Sequence, residues 1–177
     1  NNLVLLHRYP LKHLGFKNKD NSLIEICLWN ISKNSVEKID DTDAWSWEQG
    51  SRLQWINDKE LIYNKRFDGK LISCVYDIEK KTKINLNNTV YSVNKNKYFL
   101  HINFSRLWRL WRSYGYFTSD ELTNYEGQPS DDGVFICDTN NKKKIILSIR
   151  DAVKLCKLDN LKKDFFLCHP TFNPSGN

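Results

Sequence analysis

The chain has 177 residues and a formal net charge of +6, with lysines scattered through predicted turns rather than gathered in a stripe. This length allows one domain with a hydrophobic core. Without a basic stripe or a known nucleic-acid module, we predict no nucleic-acid partner. No apolar run is long enough to cross a bilayer, so we also predict no membrane span.

The chain contains no Met and finishes at 173–177, a turn with no strand after it. We therefore expect both ends to be cut from a longer polypeptide, and a signal peptide upstream is compatible with this expectation.

The five cysteines indicate the compartment. Their number is odd and none forms a Cys-x-x-Cys pair, which argues against a disulfide framework and against a structural zinc site. Cys27, Cys74 and Cys137 lie in apolar runs, so we interpret them as small core residues. This usage favours a reducing compartment, and we predict a cytoplasmic location.

Three segments share one pattern: an apolar strand ending in Asn or Asp, a lysine-rich turn, and a second strand. An Asn or Asp at this place caps the backbone of its own turn. An apolar residue follows nine positions later each time. We predict the outer strand pairs of three successive repeats at 24–39, 72–86 and 133–147.

A second pattern precedes two of these pairs and opens again after the third. Short apolar runs flank a polar turn at 53–64 and 91–103, and another run begins at 171–172. We interpret these runs as inner strands. Four short strands at this spacing predict an antiparallel meander, which is the unit of a β-propeller blade.

The predicted fold class is all-β: a β-propeller fragment of consecutive four-stranded antiparallel blades, with a short helical insertion. Such repeats cannot bury their faces alone, and a closed propeller needs at least four blades. The whole chain is then one partial propeller domain. It contains an incomplete blade at 1–40, a blade at 44–87, a blade at 89–149 with an insertion at 105–130, and a connecting helix with the next blade's start at 150–177.

The connecting helix has a recognisable start. Ser148-Ile-Arg-Asp151 fits a capping box, and apolar residues follow it at helical spacing. We predict a short surface helix there.

The insertion opens with arginines at every third position, interleaved with Leu and Trp. On a turn and a half of helix, Arg106, Arg109 and Arg112 would form a guanidinium edge beside an aromatic one. Arginine forks bind carboxylate or phosphate groups, so this segment is a candidate site for an acidic glycan or a phosphorylated ligand. In the alternative, the Trp and Leu side chains pack inward and the arginines pair with carboxylates, namely Asp131, Asp132 or Glu121.

The segment 45–55 is dense in Trp and Gln and enters an innermost strand. In a propeller such loops converge on the axial mouth, and loops on a rigid scaffold commonly carry binding residues. Trp45, Gln49 and Gln54 are therefore candidate ligand contacts. In the alternative, the tryptophans pack between blades and the glutamines satisfy backbone groups.

The sequence offers little sign of catalysis. The four histidines are His7, His13, His101 and His169. His101 alternates with apolar residues and is interpreted as a core or channel histidine, whereas His169 starts an inner strand and could face the axis. No spacing predicts convergent metal ligands, so we predict no metal and no other cofactor. The paired aspartates at 40–41 and 131–132 are interpreted as turns, and we assign no catalytic residue.

Several motifs together resemble TolB-like β-propeller repeats. The turn Asn173-Pro-Ser-Gly176 matches the Ser/Asn-Pro-Asp/Ser-Gly turn of those repeats. From about residue 43 onward, other motifs resemble a group of uncharacterised bacterial propellers associated with polysaccharide-biosynthesis glycosyltransferases. These motifs lie at 45–55, 62–64, 103–107, 114–116 and 131–133. They contain three further candidate ligand contacts, Asn64, Asn103 and Tyr116.

Oligogalacturonate lyases share this general architecture and hold a metal with His and Gln near the axis. The residues available here for such parts are Gln49, Gln54, His101 and His169. No lyase motif matches residue by residue, so this likeness is an architectural analogy and does not establish function.

We predict a non-catalytic binding propeller that recognises a glycan, or a partner protein in polysaccharide metabolism. One alternative is a metal-assisted polysaccharide lyase or hydrolase, with the ion held by His169. Another is a structural scaffold, in which Trp108 and Trp111 are buried and the arginines are paired. The candidate ligand-binding residues are Trp45, Gln49, Gln54, Asn64, Asn103, Arg106, Arg109, Arg112, Tyr116 and His169.

Overall fold

The computed structural model describes residues 2–9, 22–94, 98–118, 127–158, 161, 163–173 and 175. Within these residues the chain forms eleven strands in three antiparallel sheets, and two short helices. The predicted all-β class is confirmed. None of the sheets closes on itself within the described part of the chain. No described helix has the length and apolar character needed to cross a membrane.

Each sheet is a meander of strands that follow one another in sequence. The first sheet contains β1 (Leu3–Arg8), β2 (Ile24–Asn30) and β3 (Ser35–Thr42). The second contains β4 (Gln54–Trp55), β5 (Glu60–Phe67), β6 (Lys70–Asp77) and β7 (Thr82–Leu86). The third contains β8 (Ser92–Val93), β9 (Tyr98–His101), β10 (Gly133–Asp138) and β11 (Lys143–Ser148).

The three predicted outer strand pairs lie in three separate sheets, as β2–β3, β6–β7 and β10–β11. The first sheet departs from the prediction, because β1 pairs with β2 over six residues and adds a third strand to the expected two. No strand is assigned at 171–172, and the predicted turn at 173–176 lies partly outside the described residues.

The turn caps expected from the repeat pattern are present in all three sheets. The Asn30 side-chain oxygen accepts from the Lys33 amide at 3.0 Å. Asp77 accepts from the amides of Glu79 and Lys80, each at 2.9 Å. Asp138 accepts from its own turn in the same way, through the amides of residues 140 and 142. A short carboxylate or amide side chain therefore stabilises each of these hairpins locally.

The second sheet lies between the other two, and its faces are both buried. Successive side chains of a strand point to opposite faces, so β5 and β6 each contribute to two interfaces. The interface with the first sheet contains Ile26, Leu61, Tyr63, Cys74 and Tyr76. The interface with the third sheet contains Ile62, Val75, Leu86, Phe99 and Phe135. All five cysteines are free, and the three predicted as core residues are buried.

Two helices flank the third sheet. α1 (Phe104–Leu110) follows β9, and the Asn103 side chain caps it by accepting from the Arg106 amide at 3.0 Å. α2 (Ile149–Leu155) follows β11 and begins as predicted, with the Ser148 hydroxyl accepting from the Asp151 amide. Side chains of α1 and of the segment 166–172 cover the face of the third sheet that the second sheet leaves open.

The interpretation of residues 40–41 as a turn is wrong, because both residues lie inside β3. The Asp40 carboxylate instead joins two sheets. Its Oδ2 accepts from the Tyr63 hydroxyl at 2.5 Å and lies 2.7 Å from Lys65 Nζ and 3.2 Å from Lys83 Nζ. Burial alone would raise the pKa of Asp40, but the hydrogen bonds from Lys65 and Tyr63 outweigh it and lower the pKa from 3.8 to about 2.

This pKa gives a stability prediction. A carboxyl group whose pKa is lowered by folding stabilises the protein above its unfolded pKa, and the stabilisation disappears as the pH falls through the folded value. We expect Asp40 to contribute about 2 kcal/mol to the free energy of unfolding at pH 5, lost between about pH 4 and pH 2. Urea unfolding at a series of pH values measures this loss.

The matched variants for this prediction are Asp40→Asn and Asp41→Asn. Asp40→Asn should not show the loss of about 2 kcal/mol in the free energy of unfolding between about pH 4 and pH 2. The second should retain it, because the Asp41 side chain is 40% exposed and lies outside the contact with Tyr63. An unchanged acid profile in Asp40→Asn would contradict the assignment.

Candidate functional site

The candidate residues gather at one edge of the second and third sheets, which we call the loop edge. Because each strand pair is antiparallel, β5, β7 and β9 end at this edge, where β6, β8 and β10 begin. The loop edge therefore carries the connections 45–53 and 87–91, helix α1, and the segment 164–172.

A cluster at the loop edge is centred on Tyr91. The guanidinium carbon of Arg52 lies 4.0 Å from the centre of the Tyr91 ring, and Arg52 Nε donates to the Tyr91 carbonyl at 2.7 Å. The Tyr91 hydroxyl hydrogen-bonds to Nδ1 of His169 at 2.8 Å. The ring centre of Tyr114 lies 5.4 Å from that of His169 and 4.6 Å from that of Trp111. We call these five residues the arginine–aromatic surface.

The arginine–aromatic surface has a buried floor and open groups above it. Tyr91 is buried, whereas Trp111 is 49% exposed and His169 is exposed. The terminal nitrogens of Arg52 form no hydrogen bond with any residue that the structure describes. Burial raises the pKa of Tyr91, so its hydroxyl keeps its proton at neutral pH. The surface thus offers a guanidinium fork beside aromatic rings, a pairing suited to a carboxylate on an otherwise uncharged, ring-shaped ligand.

Arg52 and His169 also share an unusual backbone conformation. Their φ angles are 55° and 59°, in the left-handed region that few residues other than glycine adopt. Such conformations persist where surrounding contacts fix them, and they are common at ligand sites. Both side chains contact Tyr91, so the two strained positions serve the same cluster.

Two glutamines hold the loop that carries Arg52. Gln54 Nε2 donates to the carbonyls of Arg52 at 2.9 Å and Tyr91 at 3.3 Å, and its Oε1 accepts from the Val93 amide at 3.1 Å. The alternative role, satisfying backbone groups, therefore holds for Gln54. Gln49 Nε2 donates to the Tyr114 carbonyl at 3.0 Å, while its Oε1 is buried without a hydrogen-bond partner among the described residues.

Asn64 and Tyr116 are brought together, but below the surface. Both are 0% exposed, and Asn64 Nδ2 lies 3.1 Å from the Tyr116 hydroxyl. Asn64 also bonds the Val90 amide at 2.7 Å and the Val90 carbonyl at 2.8 Å. The Tyr116 ring stacks on Phe104 at 4.0 Å between centres, and Phe104 stacks on Tyr91. These residues position Tyr91 from beneath and are not open to a ligand.

The structure separates the three arginines that the sequence placed on one edge. Arg106 is 2% exposed, and it donates to the carbonyls of Phe165 at 2.6 Å and Gly127 at 2.9 Å. It also lies 3.7 Å from Asp132, so the alternative of an internal carboxylate partner holds for Arg106. Asn103 belongs to the same group, because its Nδ2 donates to Asp132 at 3.1 Å.

Arg109 and Arg112 remain exposed on and beyond α1. The guanidinium carbon of Arg112 lies 5.5 Å from the centre of the Trp108 ring, and Trp108 is half-buried. The other possible partner for these arginines, Glu121, lies outside the described residues, as does His13. Arg112 directly follows Trp111 of the arginine–aromatic surface in the chain.

Trp45 lies in a separate aromatic cluster. Its Nε1 donates to the Ser22 carbonyl at 2.7 Å, and its ring packs edge-on against Trp47 and Tyr9 at 5.0 and 5.4 Å between centres. This supports the packing role for Trp45, although Trp47 is 53% exposed.

A groove of about 720 Å³ also opens at the loop edge, between the second and third sheets. Its lining includes the β5–β6 hairpin, residues 87–89, the end of β9 and residues 129–132. Of the residues singled out from the sequence, five line it: His101, Asn103, Arg106, Asp131 and Asp132. Four positively charged and two negatively charged side chains contribute to its walls: Arg66, Lys70, Arg106, Lys143, Asp131 and Asp132.

Sequence reasoning missed Arg52, Tyr91, Trp111 and Tyr114 as members of one cluster. Arg52 lies in the Trp- and Gln-rich segment 45–55, and Trp111 lies in the arginine-rich insertion. Their association depends on Tyr91, which is 39 residues from Arg52 and 78 from His169. The one available signal was position, since Tyr91 immediately precedes the inner strand β8.

No protein-family model, curated protein or solved structure matches this chain. Among the described residues, no group of three or more His, Cys, Asp and Glu side chains is placed to hold a metal ion.

Proposed function

We propose that the chain is part of a β-propeller that binds, without transforming it, a glycan carrying acidic groups. The propeller proposal rests on three consecutive meanders, two of them four-stranded, with the second packed face to face on both others. Successive blades of a propeller have this arrangement. The link to polysaccharide assembly rests on the sequence resemblance alone.

The observation that carries the binding proposal is the arginine–aromatic surface. Arg52 offers two terminal nitrogens to an acidic group, and exposed Trp111 offers a ring face to an uncharged sugar ring. Arg112, the residue after Trp111, is exposed and adds a positive charge. A rigid base of Tyr91, Phe104 and buried hydrogen bonds holds these groups in place, which lowers the entropy lost on binding.

Titration calorimetry against acidic and neutral glycans, chosen from a glycan array, tests this proposal. We expect acidic glycans to bind and their neutral counterparts to bind more weakly. Arg52→Ala should weaken binding by about tenfold or more, since one hydrogen bond to a charged group contributes about 1.5–3 kcal/mol. Trp111→Ala should also weaken binding, because it removes the aromatic ring that packs against the sugar. Arg52→Lys should recover part of the loss, because it keeps the charge without the fork.

Two control variants change similar groups at the opposite edge of the sheets. Lys81→Ala removes a positive charge in the β6–β7 turn, and Tyr98→Ala removes a ring that is 45% exposed at the start of β9. Both should bind like the unaltered protein. Absence of binding to every acidic glycan, or equal losses in the control variants, would refute the proposal.

A further inference from the structure

The groove between the second and third sheets has the size of a small-molecule site. Its volume of about 720 Å³ falls within the range of about 300–1,000 Å³ that ligand pockets commonly have. Strands of both sheets, helix α1 and the connections 87–89 and 129–132 all contribute to its lining, so the groove is not formed by one loop alone. Phe104 and Phe135 form part of its apolar lining.

The positive charges of the groove divide into paired and unpaired groups. Arg66 Nε lies 2.9 Å from Asp43, and Arg106 pairs with Asp132. Lys70 and Lys143 form no ion pair with a described residue, and Lys143 Nζ lies 4.7 Å from the centre of the Phe135 ring.

Asp131 is the lining carboxylate without an ion pair among the described residues. Among the charged lining residues, two lysines and one aspartate therefore have no ion-pair partner in the described part of the chain. This excess of one positive charge favours a ligand with one anionic group.

His101 adds a hydrogen-bond acceptor to the groove. Its Nδ1 lies 3.1 Å from the Thr89 carbonyl oxygen and 2.8 Å from the Thr89 hydroxyl. A carbonyl oxygen only accepts, so Nδ1 carries the hydrogen; the Thr89 hydroxyl then donates to the Ile102 carbonyl at 3.3 Å. Burial and the charge of Lys143 lower the pKa of His101 to about 4, so the ring is neutral at pH 7. Nε2 therefore keeps a lone pair, and no described residue donates to it.

From this geometry we infer that the groove is a second binding site, separate from the arginine–aromatic surface, for a small anion that also bears hydroxyl groups. Lys70 and Lys143 would hold the anionic group, and His101 Nε2 would accept from a hydroxyl. A sugar phosphate and a sugar acid share this chemistry. The inference does not depend on the proposed glycan site, because different residues carry it.

Titration calorimetry of the whole chain with glucose 6-phosphate, glucuronate and glucose tests the site. We expect saturable binding of at least one of the two anions and none of glucose. Binding of glucose 6-phosphate alone identifies a phosphate ligand, and binding of glucuronate alone identifies a carboxylate ligand. Binding of neither anion, or binding of glucose as tight as that of the anions, would overturn the inference.

Variants of the lining residues locate the binding. Lys70→Ala and Lys143→Ala should each weaken anion binding by about tenfold, since each removes a charge-assisted contact. Both lysines are exposed, so the fold should be unaffected. Lys142→Ala, which changes the neighbouring exposed residue outside the groove, and Arg52→Ala should both bind normally. Equal binding by Lys70→Ala, Lys143→Ala and the unaltered protein would overturn the inference.

The role of His101 is tested by His101→Asn, with inorganic phosphate as a second probe. Asparagine can still donate to the Thr89 carbonyl, but it lacks an acceptor at the position of Nε2. We expect weaker binding of the hydroxyl-bearing anion and unchanged binding of inorganic phosphate. A purely structural histidine would weaken both ligands equally, and that result would overturn the assignment of a hydroxyl contact.

Discussion

Replacing Arg106 by Ala is expected to lower the free energy of unfolding by about 3–5 kcal/mol, because it breaks a buried ion pair from one side. The side chain is 2% exposed and ties three parts of the chain together: helix α1, Gly127 and Phe165. Its loss leaves two carbonyl oxygens without these donors. It also leaves the buried Asp132 carboxylate without its positive neighbour. Burial raises the pKa of Asp132, and the charge of Arg106 opposes that rise.

Urea unfolding followed by tryptophan fluorescence measures this effect, and Arg109→Ala is the matched control. Arg109 lies one helical turn further along α1 and is exposed. Its replacement should change the free energy of unfolding by less than about 0.5 kcal/mol. If the two variants had similar free energies of unfolding, Arg106 would contribute no more to stability than Arg109. Arg106 would then again be a candidate ligand contact.

Replacing Asn64 by Leu is expected to cost about 3 kcal/mol, although leucine has nearly the same size. The change removes the partners of the Val90 amide, the Val90 carbonyl and the Tyr116 hydroxyl at a position that is 0% exposed. A buried polar group left unsatisfied costs about 1–3 kcal/mol, and these three groups share one region. Because Val90 precedes Tyr91, the arginine–aromatic surface should also lose its alignment.

Thermal and urea unfolding of Asn64→Leu measure the stability, and glycan titration of the folded fraction measures the effect on binding. Asn85→Leu makes the same chemical change at an exposed position of β7 and should be nearly neutral. If Asn64→Leu were as stable as Asn85→Leu, the Asn64 hydrogen bonds would not be a determinant of the fold.

The sheets could be predicted from the sequence because their signals are local. Each outer hairpin combines an apolar run with an Asn or Asp that hydrogen-bonds its own turn within a few residues, as Asp77 and Asp138 do. Helix α2 was predictable for the same reason, since Ser148 and Asp151 cap it within one turn. The extra strand β1 was not, because residues 10–21 separate it from its pairing partner β2, so no short hairpin pattern links the two strands.

The candidate site was only partly predictable, since it is assembled from distant parts of the chain. Arg52, Tyr91 and His169 meet although 117 residues separate the first from the last. Periodicity also misplaced Arg106: residues three apart lie near one another on a helix, but only neighbouring segments decide whether that face is open. Here the carbonyls of Gly127 and Phe165 enclose Arg106 and leave Arg109 exposed.

The central position of the second sheet bears on how β5 finds its alignment. In a strand with one solvent-exposed face, shifting the register by one residue would expose its apolar side chains to water. Hydrophobicity alone therefore selects the correct register of such a strand. β5 has apolar partners on both sides, and that selection is weak. Two polar anchors replace it: the Tyr63 hydroxyl reaches Asp40 in one direction, and Asn64 reaches Val90 in the other. If β5 shifted by one residue, both hydrogen bonds would be lost. Hydrogen bonding, rather than hydrophobicity, therefore determines the register of β5 at the centre of this fold.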